Sequence, residues 1–75
     1  MMLEKNKLLE QFGKNLKEAR NLKGISQEDL ALSLGFDRTY ISMLERGKRN
    51  PSLFTLYKIS HFLDIKILAL VADIK

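Results

Sequence analysis

Residues 26–52 read SQEDLALSLGFDRTYISMLERGKRNPS. Ser26 precedes a short apolar pattern of Leu30, Ala31 and Leu34, and Asp29 resembles the acidic partner of a capping box. A helix over 27–34 is therefore expected, with Glu28 and Asp29 also favouring the positive end of its dipole. Gly35 allows the backbone to reverse at a positive φ, which a Cβ disfavours. Asp37 then stands as the N-cap of a second helix over 38–46, turned inward through Ile41 and Leu44 and ended by Gly47. Ala31 is small where the two helices would cross. This is a helix-turn-helix arrangement with a basic residue, Arg38, opening the second helix and a basic loop leaving it. Paired short helices also occur in proteins that bind nothing with them. The glycine spacing and the basic second helix together weigh against that plainer reading.

The flanks read as helix too. Leu9, Phe12, Leu16, Ala19 and Leu22 recur at three- and four-residue spacing, which predicts an amphipathic helix over 7–23, stopped by Gly24. Lys14, Lys17, Glu18 and Lys23 fall mostly on its other side. Gly13 lies inside this helix and weakens it; close packing is one reason for it, and nothing in the sequence decides the matter. After Pro51, the one proline, Ser52 caps a helix over 53–63 with Leu56, Ile59 and Leu63 as its inner stripe. A last helix over 66–73 has Lys66 at its cap site, a poor capping residue. No segment alternates for long, so no sheet is expected. The predicted fold is all-α: one domain over 1–75 with five helices.

Composition narrows the function. With 75 residues, the chain has a small core and gains from a partner. Hydrophobic residues at 45% and charged residues at 29% fit a soluble globular protein. The absence of cysteine excludes disulfides and thiolate metal sites, and the single histidine, His61, excludes a His-rich cluster. The start lacks the pattern of a signal peptide, and the longest apolar run, 67–72, is far too short to span a bilayer. A cytoplasmic, nucleoid-associated protein is expected, with no membrane, metal, cofactor or small-molecule ligand. No glycine-rich phosphate loop is present, Glu28 and Asp29 have a capping role, and His61 is placed on an outer helix face beside Lys58. An enzyme is not expected.

The net charge of +4 favours an anionic partner, and its distribution says more than its size. Arg38, Arg46, Lys48 and Arg49 face Glu45 alone, so the window 38–50 carries net +3. With Ile41 and Leu44 inward, Thr39, Ser42, Met43 and Arg46 lie on the opposite face, and Arg38 in the first turn is free to reach outward. A helix of this kind fits the major groove of B-DNA with its N-terminal side chains at the base edges. Arg38 can fork onto guanine, Thr39 and Ser42 can bond to bases or phosphates, and the Thr39 methyl or Met43 can touch a thymine methyl. Gln27, Lys48, Arg49 and Asn50 suit phosphates, as does Arg46. Tyr40 reads two ways, as a ring packed on the body and as a phosphate contact through its hydroxyl. Taken singly, Thr39 and Ser42 read more readily as part of an ordinary solvated helix face, and Gln27, Lys48, Arg49 and Asn50 each also have a plain surface or turn reading.

From FGKNLKEARNLKGISQEDLA through LERGKRNPSLFTLYKISHFLDI, nearly the whole chain resembles the Cro/repressor-type helix-turn-helix regulators, the Xre family. Within it, DRTYIS with ERGKRNPSL is similar to the controller proteins of restriction–modification systems. The resemblance implies a compact, lambda-repressor-like domain acting as a dimeric transcription regulator on operator DNA. It implies that Arg38, Thr39, Tyr40 and Ser42 lie at the DNA, that Arg49 and Asn50 touch its backbone, and that Arg20 and Glu45 form a structural ion pair. Met43 and the ending IKILALVADIK depart from the group's pattern, so base preference and dimer geometry do not carry over.

Leu70 and Val71 can serve the core, which leaves Ile67 and Leu68 surplus, while Phe54 lies off the inner stripe of its helix. Either these residues complete the core or they form a partner surface; the expectation is a homodimer built on Phe54, Ile67 and Leu68. Such a dimer would match a palindromic operator. A phage-type repressor and an antitoxin-type protein-binding module are the competing readings; the latter needs a tail or surface for a toxin, and no long tail is visible.

Overall fold

A computed structural model describes residues 4–73. Its helices are α1 (Lys5–Leu22), α2 (Gln27–Leu34), α3 (Arg38–Glu45), α4 (Leu53–Leu63) and α5 (Ile67–Leu70), and no strand occurs among the described residues. α1 packs on α3 and α5, α2 on α3 and α4, and α4 on α5. Phe12 and Leu16 of α1 meet Leu30, Ala31 and Leu34 of α2, Ile41 and Leu44 of α3, Ile59 and Leu63 of α4, and Leu70 of α5 in one core. So small a core holds the α2–α3 pair from behind and leaves the outer side of α3 open.

The local signals act where the sequence puts them, with five differences. Ser26 Oγ accepts from the Asp29 N–H at 3.0 Å and Ser52 Oγ from the Thr55 N–H at 3.1 Å. Asp37 occupies the N-cap position of α3, but its side chain makes no capping hydrogen bond. α3 ends at Glu45, leaving Arg46 as its C-cap rather than a helical residue. α1 begins two residues earlier than expected, and α5 is a single turn whose cap, Lys66, donates or accepts no side-chain capping bond. Asp64, not a glycine, takes the left-handed position that stops α4, at φ 55°; Asp tolerates that region better than most residues.

Leu22 does not join the inner stripe of α1: it is 81% exposed. It lies six residues beyond the fully buried Leu16, about 240° round the helix, so the face it shares points to solvent. The stripe runs instead through Leu16 to the buried Arg20. In α4, Leu56 is half-buried, whereas Thr55 and Ser60 are buried. Each brings a local partner that makes burial tolerable: Thr55 Oγ1 accepts from Ser52 Oγ at 3.1 Å, and Ser60 Oγ donates to the Tyr57 carbonyl at 2.9 Å.

Gly13 now has its reason. A Cβ there would lie 2.7 Å from the Leu44 carbonyl oxygen and from the Glu45 carbonyl carbon. Backbone meets backbone where α1 crosses the C-terminal end of α3, and no side chain fits between them. Gly47 serves the same contact from the other side, because a Cβ on it would stand 2.9 Å from the backbone nitrogen and Cα of Glu10. Its φ of 73° also turns the chain out of α3, and the Lys48 N–H closes the turn on the Met43 carbonyl at 2.8 Å.

Candidate nucleic-acid interface

α3 is fixed to the body at both ends. At its start, Gly35 lies in the left-handed region at φ 76°, and the Phe36 N–H bonds back to the Ala31 carbonyl at 2.9 Å. Ile41 and Leu44 in its middle are fully buried. At its end, Glu45 receives three donors from two other segments. Arg20 Nε donates to Oε2 at 2.6 Å and its terminal nitrogen Nη2 to Oε1 at 3.0 Å; Gln27 Nε2 also donates to Oε1, at 3.0 Å. The third arm of the guanidinium, Nη1, donates to the Ile25 carbonyl at 2.7 Å. One arginine thus joins α1, the start of α2 and the end of α3. Its hydrogen bond to Glu45 raises its pKa above the ordinary arginine value, and the Glu45 charge adds to this against the cost of burial. The guanidinium therefore stays charged at any working pH.

With that anchoring, α3 presents Arg38 and Thr39 exposed, and Ser42 and Met43 half-buried on the same side, with Arg46 exposed just past the last turn. Helical spacing puts these five within an arc of about 140°, opposite Ile41 and Leu44. Lys48, Arg49 and Asn50 are exposed in the loop that follows. Tyr40 stands between the two readings given it by sequence. Its ring is half-buried against Phe36, 4.9 Å between centroids and tilted by 60°, and the Arg49 guanidinium carbon lies over it, 5.2 Å from its centroid. A body-packed ring therefore shelves a loop arginine. Gln27 is partly committed elsewhere: one amide N–H is used on Glu45, which leaves the second for a phosphate.

The sequence reading missed the roles of two residues, one beside the α2–α3 turn and one away from it. Lys58 of α4 donates to the Leu34 carbonyl, the last of α2, at 2.7 Å, satisfying a helix-end acceptor at the turn. Its ammonium also sits 4.5 Å from the Phe36 ring centroid and 5.6 Å from that of Phe54. The Phe54 to Lys58 spacing of four on one helix was a readable sign of that contact. Asn15 is the other: Nδ2 donates to the Leu70 carbonyl at 3.0 Å and the Ala72 carbonyl at 2.7 Å, while Oδ1 accepts from Gln11 at 3.0 Å. It fastens the C-terminal turn to α1.

The profile of the helix-turn-helix family HTH_3 matches residues 16–70, most of the chain. The chain belongs to this helix-turn-helix family. Among its relatives is the control protein C.MunI of a Mycoplasma species, 48% identical over 65 residues, which span 85% of this chain and 88% of that protein. Among solved structures, the restriction–modification controller C.AhdI from Aeromonas hydrophila superposes with a TM-score of 0.79 at 47% identity, over 83% of this chain and 94% of that one. The controller C.Esp1396I, solved as a tetramer in complex with its natural 35-base-pair operator, superposes at 0.73 with 38% identity, over 84% and 83% of the two chains. These helix-turn-helix relatives are regulators rather than enzymes. The five-helix, all-α fold is theirs too.

The rest of the surface bears on the partner expectations. Phe54 is 67% and Leu68 72% exposed, so neither completes the core; Ile67 is half-buried. His61 is exposed and stacks on Tyr57, with ring centroids 5.8 Å apart. Among the described residues, no helix is long and apolar enough to cross a membrane.

Proposed function

We propose that this chain is a sequence-specific transcription regulator that binds palindromic operator DNA as a homodimer, and that it is the controller of a restriction–modification system. The observation that carries this reading is the anchored α3. A helix braced by the Arg20–Glu45–Gln27 cluster turns Arg38, Thr39, Ser42 and Met43 away from the core. In the major groove, Arg38 forks onto a guanine and Thr39 and Ser42 bond to base edges, while Met43 meets a thymine methyl. Gln27, Tyr40, Arg46, Lys48, Arg49 and Asn50 hold backbone phosphates and so set the register.

The controller relatives support the finer assignment, and the crystallised complex of C.Esp1396I with its operator supports DNA as the partner. Phe54, Ile67 and Leu68 supply the apolar surface for a second copy. A two-fold pair sets the two α3 helices about 34 Å apart, one turn of DNA. Such a protein works in the cytoplasm, at the nucleoid.

Selection of binding sites from a random duplex library, repeated at two salt concentrations, tests the proposal. Enrichment of a palindrome with half-sites about one turn apart is expected. Strongly salt-dependent binding with no enriched sequence would reduce the basic face to an electrostatic patch.

A further inference from the structure

The loop after α3 is not alone on its stretch of surface. Lys48, Arg49 and Asn50 form one wall of a hollow of about 420 Å³ whose other wall is the first turn of α1, with Lys5 and Asn6. We propose that this hollow seats a DNA backbone phosphate, with Lys5 and Asn6 as contacts that complete those of the loop. The inference rests on the DNA-binding reading and extends its footprint to an element outside the helix-turn-helix.

Charge and continuity support this occupant. Lys5, Lys48 and Arg49 line the hollow against one carboxylate, Glu10, and the first turn of α1 has no acidic residue. Asn6 and Asn50 add side-chain amides that donate to phosphate oxygens. The spacing of the two walls is set by backbone rather than by flexible side chains. Gly47 lies so close to α1 that a Cβ on it would meet the backbone and the Cγ of Glu10, each at 2.9 Å. The loop and the start of α1 are thereby held as one rigid edge, and a DNA strand that reaches Arg49 also runs past Lys5. All five proposed contact residues are exposed.

The test compares Lys5→Ala with Lys7→Ala in the full chain. Lys7 is exposed in the same turn and does not line the hollow. Affinities are measured on the selected operator and on a random duplex across a salt series. Lys5→Ala is expected to weaken both duplexes by the same factor, roughly fivefold per protomer at 0.15 M salt, and to flatten the salt slope by about one unit per protomer. Lys7→Ala removes the same charge and should change the slope far less. Equal effects of the two variants, or none from Lys5→Ala, would overturn the hollow while leaving operator recognition intact. Failure of the unaltered protein to bind DNA at all would overturn both readings.

Discussion

Arg20 and Glu45, 25 residues apart, meet as a two-pronged ion pair with N–O distances of 2.6 and 3.0 Å, and both side chains are almost wholly buried. Removing one partner leaves a buried charge without its counter-charge, held only by the Ile25 carbonyl (for Arg20) or the Gln27 amide (for Glu45). Glu45→Ala and Arg20→Ala are each expected to cost about 3–5 kcal/mol of folding stability. Urea melts would show it. Arg20→Met with Glu45→Leu should cost clearly less than either single change, because no unpaired charge remains. If the single variants melt like the parent, the pair is not what braces α3.

Gly13→Ala sets two effects against each other. Alanine is favoured over glycine inside a helix by about 1 kcal/mol. Here its methyl would enter the backbone of Leu44 and Glu45. Overpacking of this kind costs about 1–3 kcal/mol, and the obstacle is main chain, which yields least. A lower melting temperature is therefore expected despite the gain in helix propensity. A rise would mean that α1 and α3 can separate freely.

Arg38→Ala and Arg49→Ala should fail differently. Loss of Arg38 should cost about 1–3 kcal/mol on the selected operator and relax base choice at one position, with little change on random DNA. Loss of Arg49 should weaken all sequences alike and flatten the salt slope. Titrations on cognate and random duplexes separate the two. Equal losses for Arg38→Ala on both duplexes would make it a phosphate contact.

Phe54→Lys with Leu68→Lys should yield a folded monomer. Both side chains are largely exposed within one chain, so the core does not feel the change. Equilibrium sedimentation is expected to give the mass of one chain, with helix content by circular dichroism unchanged. A persisting dimer would place the interface elsewhere.

The sequence displayed most of the fold because caps, glycine stops and apolar spacing are local. Ser26, Gly35, Gly47 and Ser52 act where they were read. The failures have a common physical origin in contacts made across the chain. The apolar stripe of α1 passes to Arg20, a charge that is acceptable inside only because Glu45 waits on α3, so Leu22 was misplaced. Gly13 reads as a blemish until the backbone it touches is known. Lys58 and Asn15 are ordinary surface types whose main-chain acceptors lie 24 and up to 57 residues away. The outer arc of α3 was legible from Ile41 and Leu44 alone, whereas the hollow beside Lys5 depends on how closely Gly47 settles on Glu10.

Asn15 grips the end of α5 by the carbonyls of Leu70 and Ala72. A grip on main-chain oxygens does not depend on the side chains those residues carry. The turn that bears Ile67 and Leu68 can therefore drift in sequence while staying moored. On the proposed dimer, built through Ile67 and Leu68, two descendants of one such gene would come to reject each other's subunits, and so keep separate circuits in one cell, without rebuilding the part proposed to read DNA.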